Sequence, residues 1–338
     1  MPYNVISYKA LTEINNDLDI DVVSWGLSKK LTPYEAPKIP NVNYFLEDQL
    51  SLSNIKKMIQ KMKYSLIYVC GRREKKYLKA ALFAKKKGIK IIGQTDEQYY
   101  GNFKQLIVKV LSHFLYRKYF DFIFVPGYFQ YEYMRYIGFK KEQILIGAYT
   151  ANTKLFNDYY HSSKNRTLPN ELNLLYLGRL EEVKGLDFLI ESLKKINSSN
   201  IKLNVIGNGS MLDKIKDYDF INHTPFMSQN EILKKLDDIS FFILPSSFEP
   251  WGVVLHEMAA AGIPLICSNE VGARSAFLFN NYNGFLYRHN DYKSFSKAIM
   301  KALHITNEKW ITYRKRSYEL SKSVTPEIWA ETINSLII

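Results

Sequence analysis

Cysteine is nearly absent. Cys70 and Cys267 are the only two in 338 residues, too few and too far apart for a disulfide framework or a thiolate zinc site. The six histidines include no H-x-x-x-H pair, so the pattern shows no metal cage. No apolar run approaches the roughly 18 residues of a membrane-spanning helix, and the first residues lack the basic-then-apolar order of a signal peptide. Internal repeats and low-complexity tracts are missing as well. These absences argue against a stapled secreted domain, a metal-cluster protein and an integral membrane protein, and the expectation is an intracellular chain.

What is present is enough apolar material for two cores. Hydrophobic residues make up 46% of the chain, and its length exceeds the usual single domain. The net charge of +13 is placed unevenly. Residues 1–150 hold 24 Lys+Arg against 13 Asp+Glu, which is +11, and residues 151–338 hold 22 against 20, which is +2. A basic half beside a nearly neutral one implies a polyanionic partner, nucleic acid or acidic lipid. The same lysines also suit a merely solvated surface.

The pattern alternates strand and helix. In the first half, helices are expected at 4–16, 51–63, 73–87, 103–120 and 129–136, and strands at 20–25, 65–70, 89–93 and 122–126, with 138–146 leading into another. Residues 159–173 are polar and read as a loop or linker. In the second half, strands are expected at 172–177, 201–206, 219–222, 240–245 and 263–267. Helices are expected at 185–196, 211–217, 229–236, 251–261, 290–303, 309–322 and 326–338. Such alternation predicts parallel sheets wrapped by helices, with ligands gathering at the carboxyl ends of strands. Asp96 and Glu97 follow the strand at 89–93 and are candidates there, either toward a ligand or as caps of the next helix. The segment 103–120 has Leu106, Val110, Phe114 and Tyr119 interleaved with Lys104, Lys109, Arg117 and Lys118. A basic helix of this kind can lie in a membrane interface. An ordinary core helix with a basic outer face is the favoured reading, because the strand at 122–126 needs a helix against it.

The stretch that organises the chain is PSSFEPWGVVLHEMAAAGIPLICSNEVGA, residues 245–273. An apolar run, Phe241 to Leu244, stops at Pro245 as a buried strand would. Glu249 and Glu257 follow with seven residues between them. Pro250 suits a first helical turn, leaving the amides of Trp251, Gly252, Val253 and Val254 to meet an anion at the positive end of the helix. A second turn, Gly178-Arg179-Leu180-Glu181-Glu182-Val183-Lys184-Gly185, follows the apolar run 174–177. A third, Val205-Ile206-Gly207-Asn208-Gly209, lies between them.

These three motifs, in this order and each at a strand end, resemble the signature of the retaining GT-B glycosyltransferases of family four: E-x7-E, G-R-L-x-x-x-K-G and a strand with a glycine turn. The resemblance is tight over residues 172–284 and loose over the first 150. It implies an α/β fold of two Rossmann-like doubly wound domains facing a cleft. The first, 1–150, would bind the acceptor and be completed by a C-terminal helix at 323–338; the second, 151–322, would bind a nucleotide-sugar. Residues 148–156 resemble the crossing between them. Relatives usually open with a strand before the first helix. Here that strand is missing from the pattern: either the start lies upstream or the sheet has lost a strand.

On this resemblance, Gly178, Arg179, Lys184, Asn208, Glu249, Trp251, Gly252, Val253, Val254 and Glu257 would bind the donor, and Arg179, Lys184 and Glu249 would be catalytic. Arg179 and Lys184 would offset the charge growing on a diphosphate leaving group. Glu257 would grip a ribose diol, and Glu249 the hydroxyls of the sugar. The implied partners are a nucleotide-diphosphate sugar and a lipid-linked or glycan acceptor. The basic first domain adds the expectation of peripheral contact with anionic membrane at the cytoplasmic face; no nucleic acid, no cofactor and no obligate metal are expected. Two other readings stay open: a non-catalytic GT-B scaffold that binds glycan, nucleic acid or a partner protein, and a nucleotide-sugar epimerase.

Overall fold

The computed structural model describes residues 2–24, 38–72, 74–215 and 218–337. The chain separates into two units, Met1–Thr150 with Val324–Ile338, and Ala151–Ser323. Trp25, Arg73, residues 216–217 and residue 338, each at the end of an expected element, lie outside the described residues.

The first unit runs α1 (Pro2–Ile14), β1 (Ile20–Ser24), β2 (Val42–Leu46), α2 (Leu52–Met62), β3 (Leu66–Cys70), α3 (Lys75–Lys85), β4 (Lys90–Gln94), α4 (Phe103–Val110), β5 (Phe122–Val125), α5 (Tyr128–Tyr136) and β6 (Ile144–Ile146). Strands β3 to β6 lie side by side in chain order, all parallel. Alternation along them feeds two cores. Ile91, Ile123 and Val125 pack against Ile55 and Ile59 of α2, Ala80, Ala81 and Ala84 of α3, and Tyr133 and Met134 of α5. Ile92 and Phe124 face the other way, against Leu11 of α1 and against Trp329, Ala330 and Ile333 of the last helix of the chain, α14 (Pro326–Ile337). Trp329 stacks on Phe124 with ring centroids 6.2 Å apart. Gly93 is needed in mid-strand, since a Cβ there would sit 2.6 Å from the Phe120 ring.

Strand β2 has no counterpart in the expected pattern. It pairs in parallel with β1, Ile20 opposite Val42, and among the described residues this two-stranded sheet is separate from β3–β6. The Tyr64 hydroxyl, at the foot of β3, donates to the Asp21 carboxylate on β1.

The helix expected over 103–120 differs in two ways. It breaks: α4 ends at Val110, Leu111 leaves helical geometry, and a π-helical turn covers His113–Arg117. Its burial also splits the apolar residues between two faces: Tyr116 and Phe120 join the core with Val108, Leu115 and Tyr119 packed against it, as a core helix would have it, while a second apolar set faces outward. Gln105, Ser112 and Tyr116 are buried, whereas Phe103, Leu106, Ile107, Val110, Leu111 and Phe114 are exposed. The cause is polar anchoring. The Gln105 amide donates to the Gln98 carbonyl at 2.6 Å and accepts from the Tyr100 amide at 2.7 Å, and the Tyr116 hydroxyl donates to Glu97 at 2.6 Å.

The second unit runs α6 (Thr153–Ser162), β7 (Leu172–Leu177), α7 (Leu186–Ile196), β8 (Ile201–Ile206), α8 (Leu212–Ile215), β9 (Ile221–Thr224), α9 (Gln229–Leu233), β10 (Phe241–Leu244), α10 (Val253–Ala260), β11 (Leu265–Ser268), α11 (Arg274–Phe277), β12 (Gly284–Tyr287), α12 (Tyr292–Leu303) and α13 (Asn307–Ser321). Six parallel strands take the order β12-β11-β10-β7-β8-β9. Strands β10 and β11 are buried at every position, as expected of strands covered on both faces.

The stretch expected to be a loop or linker from 159 is partly helix. Thr153, Phe156 and Tyr160 of α6 are buried at helical spacing, and the polar residues between them form its outer face. Tyr160 stacks on Tyr318 at 4.1 Å. Beyond the helix, Arg166 donates to the Ile239 carbonyl at 2.9 Å and lies over the Trp310 ring.

His256 ties three parts of this unit together. Its ring stacks on Phe277 at 4.1 Å, its Nδ1 accepts from the Ala151 amide at 3.1 Å, and its Nε2 donates to the Ser321 carbonyl at 2.9 Å. Accepting at one nitrogen and donating at the other requires the neutral ring, and burial lowers its pKa from 6.5 to about 4. The unfolded chain therefore binds more protons between those values, and stability falls as pH drops from about 6.5 toward 4, by up to about 3 kcal/mol. His256→Phe is expected to lower the melting temperature at pH 7.5 while flattening its decline toward pH 4.5. Parallel declines in variant and wild type would remove this role.

Candidate functional site

The strand order places the three motif turns together. Strand β7 has β8 on one side and β10 on the other, so the turns after β7, β8 and β10 leave adjacent strands at the same sheet edge. The chain reverses its direction of winding between β7 and β10, which is where such sheets open a crevice.

Across that reversal the Lys184 ammonium meets the Glu249 carboxylate at 2.5 Å, with the two side chains 16% and 14% exposed. Ser246 Oγ donates to the same carboxylate oxygen at 3.4 Å. The two turns are also fastened through their backbones. Both the amide and the hydroxyl of Ser247 donate to the Val183 carbonyl, each at 2.9 Å. Gly185, at φ +71°, lies so close to the β10 turn that an added Cβ would come within 2.2 Å of the Pro245 carbonyl oxygen. The turn after β11 closes the other side: the Gly272 amide donates to the Glu249 carbonyl and the Ala273 amide to the Trp251 carbonyl, both at 2.9 Å.

Arg179 is exposed at the tip of the β7 turn, and its carbonyl accepts from the Tyr176 hydroxyl at 2.7 Å. Asn208 is exposed as well, its carbonyl accepting from the Leu180 amide. Gly178 and Gly207 meet backbone to backbone: a Cβ on Gly207 would stand 1.9 Å from the Gly178 carbonyl oxygen. These glycines let the β7 and β8 turns lie against each other.

Helix α10 starts two residues later than expected. Gly252, at φ +97°, is its N-cap, and Pro250 and Trp251 precede it. No side chain caps this end, so the amides of Val253 and Val254 in the first turn lack intrahelical partners and sit at the positive pole. Trp251 is only 2% exposed and packs edge-on against Phe277, so its side chain supports the turn from beneath.

Glu257 lies on α10 within its buried stretch, 7% exposed, and accepts from the Gln229 amide at 2.6 Å. Burial raises its pKa from 4.5 to about 7. Gln229 was not among the residues the sequence singled out. It opens α9, where Ser228 and Glu231 form a reciprocal capping box, and that S-x-x-E pattern is the one signal that marks the helix start.

Asp96 and Glu97 lie in the first unit, past the carboxyl end of β4. Glu97 accepts from Tyr116 and pairs with Arg72 at 3.5 Å, while the Arg72 guanidinium covers the Tyr116 ring. Asp96 accepts from the Tyr149 hydroxyl, whose pKa is pushed far up by burial and by that carboxylate. Neither caps α4, whose N-cap is Asn102.

Residues 161–317 match the family model of glycosyl transferases group 1. The chain is 30% identical over 153 residues to the glycogen synthase of Mycobacterium tuberculosis, covering 43% of this chain and 36% of that one. It is 29% identical over 191 residues to the capsular polysaccharide biosynthesis glycosyltransferase CapM of Staphylococcus aureus, covering 53% and 49%. The match thus spans a third to a half of the length of these relatives. Among solved structures it is similar to Anabaena HepE in complex with UDP and glucose, with a TM-score of 0.71, 16% identity and coverage of 99% of this chain and 96% of that one. Sucrose-phosphate synthase from Thermosynechococcus elongatus gives 0.70, 16%, 98% and 90%. The fold is GT-B, an α/β architecture with parallel sheets.

Gly185→Ala is expected to destabilise the protein by about 2–4 kcal/mol, because a Cβ is forced onto the Pro245 carbonyl at a left-handed backbone position. Urea unfolding with a midpoint near that of wild type would show that the β7 and β10 turns are not held in this contact.

Proposed function

We propose that this chain, whose residues 161–317 match the glycosyl transferases group 1 family model, moves a sugar from a nucleoside-diphosphate donor to an acceptor with retention at the anomeric carbon. The observation that carries the proposal is the joining of Lys184 to Glu249 across the strand reversal. Exposed Arg179 lies on the same turn as Lys184, and the free first turn of α10 follows Glu249. A diphosphate brings two negative charges to a place that already holds two cations and a positive helix end. UDP-glucose is the first donor to try, since HepE carries UDP and glucose in its structure.

In the reaction the bond from the anomeric carbon to the diphosphate oxygen breaks, and the acceptor oxygen bonds to that carbon on the same face. The acceptor proton passes to the departing phosphate oxygen. Arg179 and Lys184 stabilise the charge that collects on the leaving group, so the proposal calls for no obligate metal or cofactor. Glu249 has two tasks. It holds Lys184 in place while the site is empty, and it accepts from sugar hydroxyls when Lys184 turns to phosphate. The acceptor is proposed to be a lipid-linked or glycan precursor of a surface polysaccharide, met on the cytoplasmic face of a membrane. CapM, whose name places it in capsular polysaccharide biosynthesis, supports that direction. Asp96 and Glu97 are proposed to face the acceptor side.

Arg179→Ala should abolish transfer and leave the melting temperature of the free protein unchanged; near-normal turnover would sink the diphosphate assignment. A thermal-shift panel of UDP-, GDP- and ADP-sugars on wild type and Glu257→Ala names the base. A selective rise, weakened in the variant, is expected.

The raised pKa of Glu257 adds a pH signature. A ribose diol is held by the carboxylate, so donor binding must expel the proton that burial favours. Because a nucleotide-sugar diphosphate does not titrate near neutrality, affinity for UDP-glucose should fall about tenfold from pH 8 to pH 6. Calorimetry in buffers of different ionisation enthalpy should register proton release near pH 6.5. A pH-independent affinity in wild type would exclude Glu257 from the ribose.

A further inference from the structure

Helix α4 packs Val108 against the core of the first unit and turns a wider apolar stripe to solvent. Its buried side carries Gln105, and Ser112 and Tyr116 continue that side past the break at Leu111. On the opposite side stand Phe103 at 75% exposure, Leu106, Ile107, Val110 at 75%, Leu111 and Phe114 at 63%. Spacings of three, four, seven, eight and eleven residues from Phe103 set these six on one stripe. Scattered apolar residues on a surface need no explanation, but a continuous stripe does.

The charge around the stripe is of one sign. Lys104, Lys109, Arg117 and Lys118 are exposed, and residues 98–120 include no Asp or Glu. At about 100° per residue, Lys104 falls on one flank of the α4 stripe and Lys109 on the other. The Lys109 ammonium lies 4.2 Å from the centroid of the Tyr136 ring, which meets the Tyr99 ring at a tilt, and Tyr99 is itself 53% exposed. Exposed Tyr100 stands at the N-terminal end of the stripe. Tyrosines at the margin, cations beside them and aliphatic and phenyl groups between them form the order in which a bilayer presents its interface, headgroups and acyl chains.

We infer that residues 99–118 are a membrane-docking surface, with the six apolar side chains entering the acyl boundary of an anionic lipid leaflet and the four cations resting on its phosphates. The occupant is read from charge complementarity. A second copy of this chain would bring the same four cations against these, whereas an acidic bilayer neutralises them and buries the stripe at once. The break at Leu111 serves this docking, since the turn that follows keeps Phe114 on the exposed side while Tyr116 stays bonded to Glu97. The surface deepens the proposed function by naming how a lipid-linked acceptor is approached, and it rests on that reading for its purpose alone.

The test is flotation of the full chain with vesicles of phosphatidylcholine, with and without about 30% phosphatidylglycerol, in the absence of donor. Binding to the acidic vesicles only is expected, weakened at least about tenfold in 0.5 M salt. Phe103→Ser, Val110→Ser and Phe114→Ser together should abolish it with an unchanged melting temperature, because all three are exposed. Lys104→Glu with Lys109→Glu should weaken it at low salt and lessen its salt dependence. Amide exchange over 103–114 should slow on vesicles. Equal binding to neutral vesicles, or full binding by the triple serine variant, would overturn the inference. So would concentration-dependent dimerisation that the serine variant abolishes while lipid binding is absent. Donor-induced thermal shifts are scored separately, so either proposal can fail without the other.

Discussion

The second unit depends on one constraint, the direct neighbourhood of β7 and β10. They are 63 residues apart in the chain between Leu177 and Ser240, yet they pair at Phe241 opposite Leu174. Everything the candidate site uses follows from that pairing. It sets Gly185 against Pro245 with no room for a side chain, ties Ser247 to Val183, and brings Lys184 to Glu249. A half-buried ion pair by itself is weak evidence of stability. Held at the mouth of a strand reversal, beside a helix start with uncapped amides, the same pair is a store of positive charge with its counter-ion already present.

The carboxylates of the E-x7-E stretch are not equivalent, and their surroundings separate their roles. Glu249 is fixed by a cation and by backbone bonds to the β11 turn. Glu257 sits deep on a helix that is apolar all round, with one neutral amide for company, and burial favours its protonated form up to about pH 7. A carboxyl group kept near its titration point can respond to a ligand that offers hydroxyl donors.

Much of this was legible in the sequence because the informative features were local. Apolar runs ending in Gly or Pro marked β7, β8 and β10, and the three turns were recognisable by their residue types. What depended on tertiary context was less legible. Strands β12 and β2 are only four and five residues long, too short for their apolar alternation to stand out although Asn-containing turns precede both. Helix α6 was hidden because its buried positions, Thr153, Phe156 and Tyr160, are spread among polar ones and its end runs into a stretch that composition assigns to a loop. Trp251 illustrates the limit within the site itself: the sequence offered its amide to a ligand, and only tertiary packing shows that its ring is buried against Phe277.

The exposed stripe of α4 shows why periodicity can locate an amphipathic helix without saying which face is inside. Apolar residues at 103, 106, 107, 110, 111 and 114 and polar ones at 105 and 112 give the same alternation whichever side is buried. The decision rests on partners far away in sequence or hidden in loops: Gln98 and Tyr100 satisfy both ends of the Gln105 amide, and Glu97 satisfies Tyr116. A buried glutamine bonded at both ends of its amide costs little, while an exposed Phe, Val and Phe stripe forgoes about 1.5–3 kcal/mol per large side chain that burial would have gained. Local burial alone would not choose this arrangement. It becomes the favourable one when the exposed stripe has an apolar phase to enter, and the cations that border it specify a phase with an anionic surface.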